Sequence, residues 1–167
     1  MYKYCLDTSA ISNPLLEMPE DIYVSLWPQL IAKIESGVFC WNAEIGDELA
    51  LIFGKVGDCL KSCKGLYCRE VGDEDWPWRD YIETVKSWRA TYYQFISEYN
   101  GDRKNTIGLN DLSIVALAKT LWLPVVSMEK RSTNSSLKKL RIPDLCDKES
   151  IEHLSFNEFL KAEGITV

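Results

Sequence analysis

The chain has 167 residues, 46% of them hydrophobic and 26% charged, which is the size and balance of one domain with a self-sufficient core. No apolar run approaches the roughly 20 residues needed to span a bilayer, and the apolar start Tyr2 to Leu6 is too short for a secretory leader, so a cytoplasmic protein without a membrane segment is expected. A formal net charge of −6 disfavours wholesale electrostatic capture of nucleic acid, yet it leaves room for a local basic patch and for acids gathered around an uncounted cation.

The first strand is expected over Tyr2 to Leu6, followed at once by a helix start at Thr8-Ser9-Ala10. Apolar residues at helical spacing (Ile22, Leu26, Leu30, Ile31, Ile34) predict a helix from Ile22 to Ser36, stopped by Gly37. Val38 to Trp41 reads as the second strand, and Asn42 as the cap of a helix running from Ala43 to Phe53. From Gly54 to Asp80 the pattern loosens into a helix remnant and an irregular connection, a less regular insertion within a single domain spanning 1–167.

Helical spacing returns from Tyr81 to Tyr99, ended by Asn100-Gly101-Asp102. Asn110-Asp111 opens a helix over Leu112 to Leu121, Leu123 to Ser127 is the next strand, Ile151 to Leu154 a short one, and Ser155 to Glu163 the last helix. Strands alternating with helices predict an α/β fold, a three-layer sandwich with a central, mainly parallel sheet flanked by helices.

Six cysteines without a leader are expected to be reduced thiols. Cys59, Cys63 and Cys68 cluster, but their C-x3-C-x4-C spacing lacks a fourth nearby ligand and the sole histidine, His153, is remote, so half-buried thiols are favoured over zinc.

The acids carry the functional signal. Ligands of parallel sheets bind beyond the carboxyl ends of the strands, and acids recur there: Asp7 after the first strand, Glu44 and Glu48 after the second, Asp111 at a helix start, Glu129 after "PVVS". Clustered carboxylates repel one another unless a divalent cation intervenes, and oxygen-only ligation suits Mg²⁺ or Mn²⁺. A water on such an ion can attack a phosphodiester. Each acid also has a plainer reading: Asp7 and Asp111 as helix caps, Glu44 and Glu48 as solvated helix positions, Glu129 as a loop acid.

These residues resemble the PIN domain, the nuclease fold of many prokaryotic toxin-antitoxin ribonucleases. "YCLDTSAIS" is similar to the family's opening strand and Asp, "DELA" to its second acid, "LNDLSIVALAKTL" to its third, and "VVSMEK" to its strand ending in T-x-D, with Glu129 where many members carry Asp. The resemblance implies Asp7, Glu48, Asp111 and Glu129 as metal-site and catalytic acids, Glu44 in reserve, and Thr8, Ser9, Asn110 and Ser127 as polar supports. It also implies Mg²⁺ or Mn²⁺ as cofactor, RNA as substrate, an antitoxin partner and a homodimer. The ending "LRIPDLCDKESIEHLSFNEFLKAEGI" is similar to a PIN-like subgroup with a K/R-I-P-D-x-C stretch.

RNA needs phosphate contacts, and Lys130, Arg131, Lys138, Lys139 and Arg141 follow the last site strand, with Arg131 and Arg141 the preferred grips for phosphate; the plainer reading is a solvated basic loop. The stripe Trp88, Tyr92, Phe95, Tyr99 reads as packing sooner than as a base-stacking surface. Two alternatives compete: a PIN-like module with a relaxed metal site that binds RNA or a partner, and, from "DTSA", an aspartic protease, which the helical segments oppose.

Overall fold

The computed structural model describes residues 1–104, 106–132 and 139–167. In chain order, β1 (Tyr4–Leu6) leads into α1 (Ser9–Glu17) and α2 (Leu26–Glu35), and β2 (Phe39–Asn42) into α3 (Ala43–Leu49) and α4 (Gly54–Tyr67). Strand β3 (Cys68–Arg69) precedes α5 (Trp78–Thr91) and two 3-10 turns, Tyr93–Phe95 and Ser97–Tyr99. Then come α6 (Leu109–Leu121), β4 (Val125–Val126), α7 (Ile142–Glu149), β5 (His153–Leu154) and α8 (Phe156–Ala162). No described helix is long and apolar enough to cross a membrane.

All five strands are parallel, in the order β3-β2-β1-β4-β5, so the expected α/β class with a helix-flanked parallel sheet is what forms. Cys5 stands opposite Cys40 on one side and Val125 on the other, which makes β1 the centre of the sheet. Strands β2 and β3 extend it in one direction and β4 and β5 in the other. The connections therefore part between β1 and β4, and beyond the carboxyl ends of such a pair an α/β sheet opens a crevice.

Packing on the sheet is aromatic on one face: the Phe159 ring of α8 lies 5.3 Å from that of Tyr4 and 5.0 Å from that of Phe39. Helix α6 is buried without a break from Leu112 to Ala118 and packs on β1, β2, α5 and α7, as a helix apolar all round must. Its one polar member in that run, Ser113, accepts a 2.7 Å bond from Asn42 Nδ2, which also donates to the Tyr81 hydroxyl, while Asn42 Oδ1 caps α3 through the Ile45 N–H. A buried polar network thus ties β2 to α5 and α6 with its donors satisfied.

The loose region is the main departure from expectation. Residues Gly54–Tyr67 form a full helix whose inner face is Val56, Cys59, Leu60 and Cys63, and β3 follows as an edge strand. Cys59 and Cys63 act there as apolar helix residues, and burial pushes the thiols of Cys59 and Cys68 up to about 12. The start of α4 is capped from a distance: Glu20 accepts the Lys55 and Val56 N–H groups, each at 3.0 Å. Helix α3 ends at Leu49 rather than Phe53, leaving Leu51 and Phe53 exposed, and α2 starts at Leu26 because Pro19 O draws the Ile22 and Tyr23 N–H groups into turns. The predicted Tyr81 to Tyr99 helix stops at Thr91, and α7, where no element was expected, is capped by Asp144 on the Arg141 N–H.

Candidate active site

Asp7 extends the sheet by one bond, its N–H donating to Val126 O at 3.0 Å, and this carries its side chain to the mouth of the β1/β4 crevice. The residue is 3% exposed. Its Oδ2 accepts the Ser9 N–H at 3.1 Å and the Ser9 hydroxyl, while Ser9 Oγ accepts the Met128 N–H at 2.9 Å. Ser9 therefore bridges the ends of β1 and β4. Burial pushes the Asp7 carboxyl up to about 6, the bonds from Ser9 work against this, and the charges of Glu129 and Glu48 add to it.

Glu48, on the last turn of α3, is gripped by two neutral donors: the Thr8 hydroxyl on Oε2 and Asn110 Nδ2 on Oε1, both at 2.7 Å. Thr8 and Asn110 thus support Glu48, and Ser9 supports Asp7. Asp111 lies in the first turn of α6, and its carboxyl is pushed up to about 8, first by burial and then by Asp7, Glu129 and Glu48; a bond from the Gly108 backbone offsets part of this. The cap readings are therefore part of the truth, since Asp7 holds the first N–H of α1 and Asp111 reaches back to the residue before α6.

Glu129 follows β4, and its Oε2 accepts the Ile142 N–H at 2.8 Å, the first amide of α7. Ser127 is fully buried; its hydroxyl lies 2.8 Å from His153 Nε2 and accepts the Glu129 N–H at 3.3 Å. The structure thus brings Asp7, Glu48, Asp111 and Glu129 into mutual electrostatic range. Glu44 is exposed and acts instead on Tyr81. Among the described residues, no three His, Cys, Asp or Glu side chains are close enough as placed to hold one ion, because hydrogen bonds hold these carboxylates separately.

Two contributors had no local signal. Glu98 caps α6, both its oxygens accepting the Leu109 N–H, at 2.9 and 3.1 Å. His153 reaches Ser127 from β5. Eleven and twenty-six residues separate these partners, distances at which no cap pattern or motif operates. On the basic side, Arg131 grips Asp147 with two bonds of 2.8 and 3.0 Å, Arg141 donates to Lys130 O at 3.5 Å, and Lys138 lies outside the described residues. Trp88 and Tyr92 of the aromatic stripe are buried.

A family model described as "domain of unknown function (DUF4411)" matches residues 4–167. The chain belongs to the DUF4411 family. No curated protein matches it. Among solved structures, the DUF4411 chain is similar to VapBC-1 from nontypeable Haemophilus influenzae at 16% identity, over 92% of this chain and 98% of that one, with a TM-score of 0.45. A DNA-bound VapBC from Salmonella typhimurium matches at 16% identity over 93% and 99%, with a TM-score of 0.47. FitAcB from Neisseria gonorrhoeae matches at 19% over 92% and 97%, with a TM-score of 0.41.

The DUF4411 crevice gathers oxygen donors of the kind that suit a hard cation, although among the described residues no three acids as placed share one point. Its ionisable groups are carboxyls: burial raises Asp7 and Asp111, Glu129 and Glu48 add to both, Asp7 adds to Asp111, and a divalent ion would offset that repulsion.

Proposed function

We propose that this protein is a PIN-like ribonuclease that uses Mg²⁺ or Mn²⁺, works in the cytoplasm, and forms one half of a toxin-antitoxin pair, as a homodimer. The observation that carries the reading is Asp111, raised to about 8 by burial and by the three acids that share its crevice. Perturbed acids cluster at functional sites, the switch point of a parallel sheet is where ligands bind, and an all-oxygen acid cluster there suits a divalent cation acting on a phosphodiester. Asp7, Glu48, Asp111 and Glu129 would hold the cation. When bound, it supplies a water of lowered pKa and offsets charge on the phosphodiester.

The chain's own residues do the positioning. Ser9 aims Asp7 and joins β1 to β4, Thr8 and Asn110 aim Glu48 from opposite sides, and Glu98 fixes the start of the helix that bears Asp111. Glu129 supports a second reading, a module with a relaxed metal site, because one of its oxygens is committed to α7.

The deciding experiment incubates the purified protein with a labelled single-stranded RNA. Cleavage is expected with Mg²⁺ or Mn²⁺ and is expected to stop on chelation. Asp7→Asn should lower the rate by roughly a hundredfold or more. Cleavage that survives chelation, or full activity in the variant, would overturn the mechanism; absence of carboxylate-dependent Mn²⁺ binding in calorimetry would favour the relaxed module.

A further inference from the structure

The chain carries 25 acids against 19 lysines and arginines, yet three cations meet around one concavity of about 430 Å³: Arg103, Lys104 and Lys139, joined by the neutral groups of Gln94, Asn100 and Thr106. Among the described residues no carboxylate lines it. Its cations come from two separate segments, the loop before α6 and the approach to α7. The loop is closed at its base, where Ile107 N–H donates to Phe95 O at 2.8 Å and Ser97 N–H to Ile107 O at 2.9 Å, with Ile96 and Ile107 bridged in parallel.

Three positive side chains held together on a negative protein repel one another, and a polyanion removes that cost. The Gln94 amide adds a neutral donor of the kind phosphate oxygens accept, while Asn100 Nδ2 donates to Tyr93 O and Ile96 O and the Thr106 hydroxyl to Arg103 O, bonds that shape the rim of the pocket. The pocket also adjoins the acid crevice along the chain: Thr106 is five residues from Asp111, a span of at most about 18 Å. Next to Gln94, Tyr93 is 54% exposed and its ring stacks on that of Tyr99 at 5.0 Å, offering an aromatic face of the kind on which unpaired bases lie.

We propose that this pocket binds the phosphodiester backbone of single-stranded RNA at a distance from the bond the acids address. The choice of RNA among polyanions rests on the nuclease reading above. Arg131, the earlier candidate for this contact, is engaged by Asp147, whereas Arg103, Lys104 and Lys139 line an open pocket that is free of acids among the described residues.

The test measures fluorescence anisotropy of a labelled oligouridylate with the full chain in a chelator, so that nothing is cut. Against wild type, the triple variant Arg103→Ala, Lys104→Ala, Lys139→Ala should bind about tenfold more weakly at low salt. Its plot of log affinity against log salt should be shallower by about 2, as expected when three phosphate contacts are lost from a single strand. A charge-matched control, Lys55→Ala, Lys61→Ala, Lys86→Ala, should bind as wild type does. The proposal falls if the two triples weaken alike, if neither weakens, or if polyglutamate competes as well as the oligouridylate. A protein that binds through these three residues but cuts no RNA sinks the nuclease reading alone, and one that cuts RNA while the pocket triple binds normally sinks this inference alone.

Discussion

The Glu163 side chain, 4% exposed, and Asp7, 3% exposed as a whole residue, are both nearly sealed from water, but their surroundings are opposites. Burial works against the Glu163 charge, yet Lys33 at 2.6 Å, Lys3 at 3.1 Å and the Tyr4 hydroxyl outweigh it and hold the carboxyl down at about 2. At the β1/β4 crevice the donors around Asp7 and Glu48 are neutral, and the charges acting on Asp7 and Asp111 are other acids, so burial prevails and the carboxyls of Asp7 and Asp111 rise. One carboxylate closes the fold with cations from the same chain. The other group sets buried carboxyls against one another in the place where a parallel sheet binds ligands.

The sharpest way to break this comparison is Asp111→Asn. It removes the most strongly raised acid, so it should abolish Mg²⁺- or Mn²⁺-dependent RNA cleavage while raising the melting temperature of metal-free protein by several degrees at pH 9 and little at pH 4. The sign follows from linkage: a carboxyl raised from 3.8 to about 8 favours the folded state fully below pH 4, and that contribution is lost as pH rises through 8. Asp7, raised to about 6, acts in the same direction over a lower window. Wild-type metal-free protein should therefore lose stability from pH 4 to 8, and millimolar Mn²⁺ should flatten the decline; parallel thermal melts check both.

Glu163→Gln probes the other region. It should cost about 2 kcal/mol in urea unfolding at pH 7, from lost bonds to charged partners. Because this carboxyl is lowered from 4.5 to about 2, its contribution is present above pH 4.5 and disappears as pH falls through 2, so the variant and wild type should converge in acid. RNA cleavage should be unaffected. The smallest effect is expected for Glu98→Gln, which weakens the cap of α6 by about 0.5 kcal/mol and should lower cleavage modestly through Asp111, seen as a reduced kcat with unchanged unfolding cooperativity.

Legibility followed the range of the interactions. Asp7 could be read because a charge directly behind a buried strand violates the local pattern, and Asn42 because a cap sits next to the helix it caps. Helix α4 was obscured because cysteines share its inner face with Val56 and Leu60 and because Glu20, its capping acid, lies 35 residues before Lys55. Arg131 reads in sequence as available for phosphate, but Asp147, sixteen residues later, grips it. Both Glu98 and His153 act across chain separations that carry no sequence signature.

Local periodicity and caps, which depend on neighbours within one or two turns, determined from the amino-acid sequence alone the alternation of strand and helix, the parallel α/β class and the placement of acids at strand ends. Strand order decided the rest. Only when β4 pairs with β1 through Cys5–Val125 and Leu6–Val126 do the Asp7 and Glu129 segments share a crevice, and only the folded chain brings Lys139 beside Arg103 and Lys104. Those pairings are long-range, set by which buried faces fit together, and local chemistry does not encode them.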